Sequence, residues 1–154
     1  MKMKRLAALL CALILCLAGL SAPAEDTTVE GGGSTMQMRI GDTPVTVAWE
    51  DNASVEALKE LAAEGLTIRM SMYGGFEQVG SIGQSLPRDD AQTTTVSGDI
   101  VLYSGNQLVV FYGSNSWAYT RLGHITDQTP AQMKALLGSG DVTITLSIDR
   151  KSVV

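Results

Sequence analysis

Apolar and polar residues alternate along several short segments, and this pattern is the feature that most restricts the fold of the chain. Residues two apart lie on the same face of a β-strand, so strict alternation predicts a strand with one buried face. The alternating apolar residues are Met36, Met38 and Ile40, then Val45, Val47 and Trp49, then Leu66, Ile68, Met70 and Met72, and finally Val142, Ile144, Leu146 and Ile148. The chain is therefore predicted to consist mainly of half-buried strands.

Two segments depart from this alternation and predict short helices. Asn52 or Ser54 can cap a helix that continues to about Ala63, because a side-chain oxygen before the first turn accepts a backbone N–H. Thr129 can cap a second helix over residues 130–137. One early and one late helix, without repeated strand–helix alternation, argue against a parallel sheet.

A pair of adjacent glycines, Gly74 and Gly75, lies between Tyr73 and Phe76. The strand that passes through Met72 has to turn sharply at this point to direct the two aromatic side chains. We predict that at least one of the glycines has a positive φ, a backbone conformation that other residues resist.

The first 24 residues have the organisation of a secretory signal peptide. Three basic residues precede an apolar run over residues 6–20, and Ala22-Pro23-Ala24 provides a small-x-small cleavage site. The apolar run is short for a membrane span. Two alternatives remain open at this point: a lipoprotein anchored at Cys16, or an uncleaved N-terminal anchor helix.

Cleavage after Ala24 predicts three parts of the chain. Residues 1–24 form the signal peptide, residues 25–34 form a flexible Gly/Ser-rich tether, and residues 35–150 form one domain. The mature protein is predicted to be exported, either secreted or retained in the periplasm or cell envelope, as a monomer without a transmembrane segment.

The predicted mature chain is acidic and has no cysteine. Both cysteines and three of the eleven Lys and Arg residues precede the cleavage site, which leaves eight basic residues against sixteen acidic ones. Such a chain repels phosphate backbones and anionic lipid surfaces, so no nucleic-acid partner is predicted. It has no disulfide and no thiol chemistry.

Residues that commonly bind metals or catalyse reactions are scarce. His124 is the only histidine, and with no cysteine in the mature chain a zinc site of the usual composition is excluded. The glycines at positions 74, 75, 80 and 83 do not have the spacing of a phosphate-binding or dinucleotide-binding loop. No cofactor and no catalytic residue are predicted. We interpret His124 as a solvent-facing residue on the same side of its strand as Leu122.

Three sequence blocks carry a resemblance to a known family. They are Met70-Ser-Met-Tyr-Gly-Gly-Phe-Glu-Gln-Val-Gly80, Gly98-Asp-Ile-Val-Leu-Tyr103 and the segment from Gln107 to Gly123. Together they resemble the bacterial cyclophilin-like fold family over about residues 36–148. The resemblance implies a mainly β protein, with a cyclophilin-like closed antiparallel β-barrel and two short capping helices.

The resemblance also implies positions for some residues of the isomerase groove of cyclophilins. Gln107 takes the position of a groove glutamine, and Tyr119 stands where cyclophilins carry a groove histidine. The arginine motif that polarises the prolyl amide has no counterpart, since neither Arg69 nor Arg88 lies in the matching pattern. The chain is therefore not predicted to be an isomerase.

The aromatic residues concentrate in the blocks that carry the resemblance, and polar residues lie close to them in sequence. Aromatic walls with a few polar groups are typical of a binding cleft for a peptide or small molecule. The predicted ligand-binding residues are Tyr73, Phe76, Glu77, Gln78, Arg88, Gln107, Trp117, Tyr119 and Arg121. The alternative is that the aromatic side chains fill the interior of the barrel while the polar ones face water.

The predicted function is ligand binding in this cleft, without catalysis. One alternative is a divergent peptidyl-prolyl cis–trans isomerase or folding helper. A second is an accessory partner of a flavodoxin-like redox protein, because relatives of the family are found fused to flavodoxin-like domains.

Overall fold

A computed structural model describes residues 34–149, so the predicted signal peptide and nearly all of the predicted tether lie outside the described residues. The elements in chain order are β1 (Thr35–Ile40), β2 (Thr43–Val45), β3 (Val47–Trp49), α1 (Ala53–Ala63), β4 (Leu66–Arg69), β5 (Ser71–Tyr73), β6 (Glu77–Ser81), β7 (Ala91–Thr94), β8 (Asp99–Tyr103), β9 (Gln107–Phe111), β10 (Ser116–Ile125), α2 (Pro130–Leu137) and β11 (Thr143–Asp149).

Local sequence signals account for both helices. The Asn52 side chain accepts a hydrogen bond from the backbone N–H of Val55 at 2.9 Å, which caps α1. Thr129 and Gln132 form a reciprocal capping box at the start of α2, where proline at the first helical position needs no hydrogen-bond partner. The predicted caps and helices are confirmed.

The strands form two antiparallel sheets. One has the order β2-β1-β11-β4, and the other has the order β3-β10-β8-β9-β6-β5 with β7 paired to β10. A single residue, Thr46, separates β2 from β3, and Met70 separates β4 from β5. The mainly β class is confirmed. The closed barrel is not confirmed, because neither sheet closes on itself.

The main core lies between one face of the seven-stranded sheet, the four-stranded sheet and the apolar sides of the helices. Its buried residues include Met38, Ile40, Val55, Leu58, Ile68, Ile100, Leu102, Leu108, Val110, Leu122, Met133, Leu137, Ile144 and Leu146. A smaller cluster consists of Val101, Val109, Phe111 and Tyr119. Because these residues alternate with core residues along β8 and β9, the seven-stranded sheet is apolar on both faces.

A β-bulge in β10 changes the side on which His124 lies. Arg121 pairs with Val101 and His124 pairs with Asp99, so Leu122 and Gly123 together oppose only Ile100. Leu122 is buried in the main core, whereas His124 contacts Asp99 on the opposite face. The prediction that His124 shares a side with Leu122 was wrong, because the extra residue of the bulge reverses the alternation.

The turn between β5 and β6 has the conformation expected from its glycines. Gly74 and Gly75 both have positive φ, at 61° and 72°, which confirms the prediction. They differ in their surroundings. A Cβ atom on Gly74 would overlap the ring of Phe76, whereas a Cβ atom on Gly75 would meet nothing within 4 Å.

Alanine substitutions at the two glycines should separate backbone strain from steric overlap. Gly75→Ala should lower the free energy of unfolding by about 1–2 kcal/mol, because alanine resists a positive φ. Gly74→Ala should cost about 1–3 kcal/mol more, because the Phe76 ring must also move. Urea denaturation measures both changes. Gly140→Ala is the control, since its Cβ meets nothing within 4 Å and no positive φ is found there. Equal stability of the two variants would contradict the assignment of an overlap at Gly74.

Candidate functional site

The outer face of the seven-stranded sheet, away from the main core, brings distant parts of the sequence together. Directly paired residues of antiparallel strands lie on the same face of a sheet. Eight residues on four neighbouring strands therefore lie on this face, through the pairs Tyr73–Glu77, Glu77–Phe111, Val79–Val109, Val101–Val109 and Tyr103–Gln107. Tyr119, two residues before the partner of Val101, continues this face on β10.

A cleft with a volume of about 430 Å³ lies on this face, and we call it the aromatic cleft. Its lining residues are Tyr73, Glu77, Val79, Tyr103, Gln107, Val109, Asn115, Trp117 and Tyr119. Tyr73 is 65 % exposed and Trp117 is 57 % exposed, whereas Tyr119 is buried. The cleft therefore combines two solvent-exposed aromatic side chains with a tyrosine held in the sheet.

Edge-to-face ring contacts fix the aromatic side chains at the base of the cleft. The ring of Tyr119 lies 6.1 Å from that of Tyr103 and 5.7 Å from that of Phe111, with interplanar angles near 67° in both contacts. Rings prefer this geometry because the positive edge of one faces the negative face of the other. The rings of Tyr103 and Tyr119 consequently face the cleft in different directions.

Glu77 is the charged residue among those lining the aromatic cleft. It is only 7 % exposed, and its buried Oε2 atom has no hydrogen-bond partner among residues 34–149. Burial raises the pKa of Glu77 from 4.5 to about 7, because the charged form loses its hydration. Near neutral pH this carboxyl group can therefore either accept a proton or carry a charge.

Tyr119 connects Glu77 to the polar edge of the cleft. Asn115 donates a hydrogen bond from Nδ2 to the Tyr119 hydroxyl oxygen at 2.9 Å. Burial raises the pKa of the Tyr119 hydroxyl, and the nearby Glu77 charge raises it further, against the effect of the Asn115 hydrogen bond. The hydroxyl group therefore remains protonated and can donate a hydrogen bond to a ligand.

A second cleft, with a volume of about 390 Å³, is lined by three of the predicted residues, and we call it the arginine surface. It is lined by Asn52, Ala53, Ser54, Pro87, Arg88, Asp89, Ala91, Thr93, Tyr119, Thr120 and Arg121. Arg88 forms an ion pair with Asp90 at 3.1 Å. Arg88 and Arg121 therefore lie beside Tyr119 but outside the aromatic cleft.

A buried carboxylate holds Arg121 and His124. Asp99 accepts hydrogen bonds from Arg121 at 3.0 Å and from His124 Nδ1 at 2.8 Å, and a third from the Val96 N–H. Burial alone raises the pKa of Asp99, but these hydrogen bonds and the Arg121 charge lower it on balance. Arg121 is therefore committed to an ion pair that stabilises the end of β10.

Gln78 lies on the face of β6 opposite to Glu77. It is fully buried, and its Nε2 atom donates to the carbonyl oxygens of Leu137 at 2.8 Å and Gly140 at 2.7 Å. These bonds attach the end of α2 and the loop after it to the sheet. The side chain is placed for a structural role, away from the cleft.

The structure brings together five of the nine predicted ligand-binding residues. Tyr73, Glu77, Gln107, Trp117 and Tyr119 line the aromatic cleft, and Phe76 packs beside it, 6.2 Å from the Tyr73 ring. Gln78, Arg88 and Arg121 lie elsewhere. The alternative interpretation required the aromatic side chains to fill the interior of the protein. Tyr73 and Trp117 are exposed and do not.

The nine residues predicted for the site do not include Val79, Tyr103, Val109 or Asn115, which also line the cleft. Residues two apart in a strand lie on the same face, so the position of Glu77 predicts that Val79 faces the cleft, and the position of Gln107 predicts the same for Val109. Tyr103 enters the cleft because β8 pairs with β9, and that register is a property of the folded sheet.

Other kinds of site are not evident within residues 34–149. That part of the chain contains no group of three or more His, Cys, Asp or Glu residues that could hold a metal ion. It also contains no helix that is long and apolar enough to cross a membrane.

Comparison with known proteins gives a match to one family model. A family model described as "Cyclophilin-like family" matches residues 38–147, which include every residue of the aromatic cleft. No curated protein and no solved structure matches the chain.

Replacing Gln78 should test its structural assignment. Gln78→Leu should lower the free energy of unfolding by about 1–3 kcal/mol, because two buried carbonyl groups lose their hydrogen-bond donor. Thermal and urea denaturation measure the change, with Gln37→Leu on the exposed side of β1 as the control. A fully stable Gln78→Leu variant that has lost ligand binding would instead assign Gln78 to the site.

The buried Glu77 carboxyl group should produce an unusual dependence of stability on pH. Between pH 4.5 and about 7 the folded protein binds more protons than the unfolded chain, so this group's contribution to stability falls as pH rises. The loss should be about 1–3 kcal/mol, since one pKa unit corresponds to about 1.4 kcal/mol.

Urea denaturation at several pH values measures this effect as the difference between the wild type and Glu77→Gln. The variant should lack the decline, because an amide does not titrate. Glu60→Gln, on the exposed side of α1, should retain it. Parallel pH profiles for the wild type and Glu77→Gln would refute the raised pKa.

Proposed function

We propose that this chain, which belongs to the cyclophilin-like family, is an exported monomer that binds a peptide or small molecule in the aromatic cleft and catalyses no reaction. The observation that carries the proposal is the cleft itself, where exposed Tyr73 and Trp117 stand over a buried carboxyl group. A concave site with aromatic walls and a few converging polar groups is typical of ligand binding.

The exposure of the two aromatic side chains supports a binding role. Transfer of a large aromatic side chain out of water lowers the free energy, and Tyr and Trp are enriched at the centres of binding interfaces. Tyr73 and Trp117 are exposed in the free protein and lack this stabilisation. A ligand that covered them would be stabilised by their burial.

The charges near the cleft argue against the isomerase alternative. Catalysis of prolyl isomerisation in the cyclophilin manner needs a cation beside the prolyl nitrogen, to lower a barrier of about 18–20 kcal/mol. No Lys or Arg is found among the described residues that line the cleft. Arg69 is exposed on β4, and Arg88 lies in the arginine surface and forms an ion pair with Asp90. Gln107 and Tyr119, the other groove positions, do line the cleft.

The barrel and the export signal belong to the same proposal. β2 continues into β3 across Thr46, and β4 continues into β5 across Met70, so two chain segments each take part in both sheets. We propose that these segments join the sheets into one closed wall, with the cleft on its outside. Export would follow removal of residues 1–24, and a lipoprotein anchored at Cys16 is the alternative.

The two tryptophans provide a test of ligand binding and catalysis. The Trp117 indole is exposed in the cleft, whereas the Trp49 indole N–H donates to the Met36 carbonyl at 3.0 Å and serves as an internal reference. In ¹⁵N NMR spectra, a library of short peptides and small molecules should yield ligands that shift the Trp117 indole signal and leave the Trp49 signal in place. Trp117→Ala should weaken their binding.

The same protein should not accelerate Xaa-Pro isomerisation in a proline-peptide assay, because no cation lines the cleft. Turnover that disappears in Arg69→Ala or Arg88→Ala would refute the proposal in favour of the isomerase. Activity that is unchanged in both variants would indicate a contaminating enzyme.

A further inference from the structure

The electrostatic character of the aromatic cleft is set by one residue. Of the nine side chains that line it, only Glu77 is an acid, and none is a Lys or Arg. Glu77 is more than nine-tenths buried, and no hydrogen bond within the described residues satisfies its Oε2 atom. A buried carboxylate without a partner is costly, so the free protein leaves an interaction at this position incomplete.

The groups around Glu77 are suited to a positive charge. Tyr73, Tyr103, Trp117 and Tyr119 all line the cleft, and the faces of such rings attract cations through their quadrupoles. Val79 and Val109 add an apolar surface between them. The chain as a whole carries a net charge of −5 at pH 7, which raises the local concentration of cations.

We propose that the ligand of the aromatic cleft carries a protonated aliphatic amine, which pairs with the Glu77 carboxylate while its alkyl chain lies against the aromatic and valine side chains. This inference rests on the proposed function, since it names the chemical class of ligand for the same cleft. The N–H groups of the amine would supply the hydrogen-bond donors that the carboxylate lacks. Neutral ligands lack the charge, and quaternary ammonium ions lack the N–H donors.

The proposal has a characteristic dependence on pH. Only the ionised Glu77 can pair with an ammonium group, so affinity should increase as pH rises through about 7, the pKa of Glu77 in the free protein. The other titratable groups facing Glu77 are Tyr73 on β5, Tyr103 on β8 and Tyr119 on β10, while β9 contributes Gln107, Val109 and Phe111. Burial raises the pKa of the Tyr119 hydroxyl, which moves its titration further from this range.

Matched pairs of probes test the charge requirement. We would titrate the protein with n-butylammonium chloride and with 1-butanol at constant ionic strength, and follow the indole signals of Trp117 and Trp49 by ¹⁵N NMR at pH 6 and pH 8. Butylammonium should shift the Trp117 signal, bind at least about tenfold more tightly than butanol, and bind more tightly at pH 8. Tetramethylammonium should bind less tightly than butylammonium.

Variants connect the effect to Glu77. Glu77→Gln should reduce butylammonium affinity at pH 8 by at least about tenfold and remove its pH dependence. Glu60→Gln, at an exposed position on α1, should change neither. Retention of both properties in a folded Glu77→Gln variant would overturn the inference.

The remaining outcomes distinguish this inference from the proposed function. If butanol or neutral peptides shift the Trp117 signal as well as butylammonium does, or if affinity falls as pH rises, the amine is refuted while the binding cleft stands. If neither these probes nor the peptide and small-molecule library shift the signal, both proposals fail.

The source of the amine can be identified with a second matched pair. Nα-acetyl-lysine methylamide and its norleucine counterpart present the same backbone with and without the charge. Tighter binding of the lysine compound than of butylammonium would support a peptide lysine as the ligand. Weaker binding of the lysine compound would support a small free amine.

Discussion

The arrangement of the protein depends on the central strands β8 and β9, whose side chains are buried on both faces. Ile100, Leu102, Leu108 and Val110 belong to the main core, while Val101, Val109 and Phe111 belong to the smaller cluster outside it. Burial of a large apolar side chain contributes about 1.5–3 kcal/mol, so this sheet is stabilised from two sides. The base of the aromatic cleft is consequently part of the most firmly held region of the molecule.

A firm base has a consequence for Glu77. Glu77 lies on β6 between β5 and β9, and the strand pairing on both sides fixes its backbone within the sheet. The fold therefore holds an acidic group in an unfavourable place. Functional sites commonly contain such features, because a group that is already desolvated interacts more strongly with its ligand.

Local features of the fold could be predicted from the sequence, because they depend on neighbouring residues. The caps at Asn52 and Thr129, the alternating strands and the glycine turn are of this kind. The pairing of β7 with β10 and the entry of Tyr103 into the cleft depend on register between distant segments, which one sequence does not reveal.

The errors at the site have specific physical causes. Gln78 was grouped with Glu77 because the two are neighbours in sequence, although adjacent residues of a strand point to opposite faces. Arg88 and Arg121 were predicted from their proximity to aromatic residues, but both line the arginine surface, and each forms an ion pair with an aspartate. One extra residue at Leu122 reversed the side of His124. The family match covers the cleft and leaves its ligand open.

The pairing of β1 with β11 determines when the fold can be completed. β11 lies between β1 and β4, and its register joins Thr35 to Asp149, the two ends of the described domain. A chain that has been synthesised or threaded through a membrane only as far as α2 therefore lacks one of the two inner strands of its four-stranded sheet. Pairings between distant segments also form slowly, since loop closure has to precede them. The four-stranded sheet would stay incomplete until β11 arrives, which would delay completion of the fold during the export that we propose.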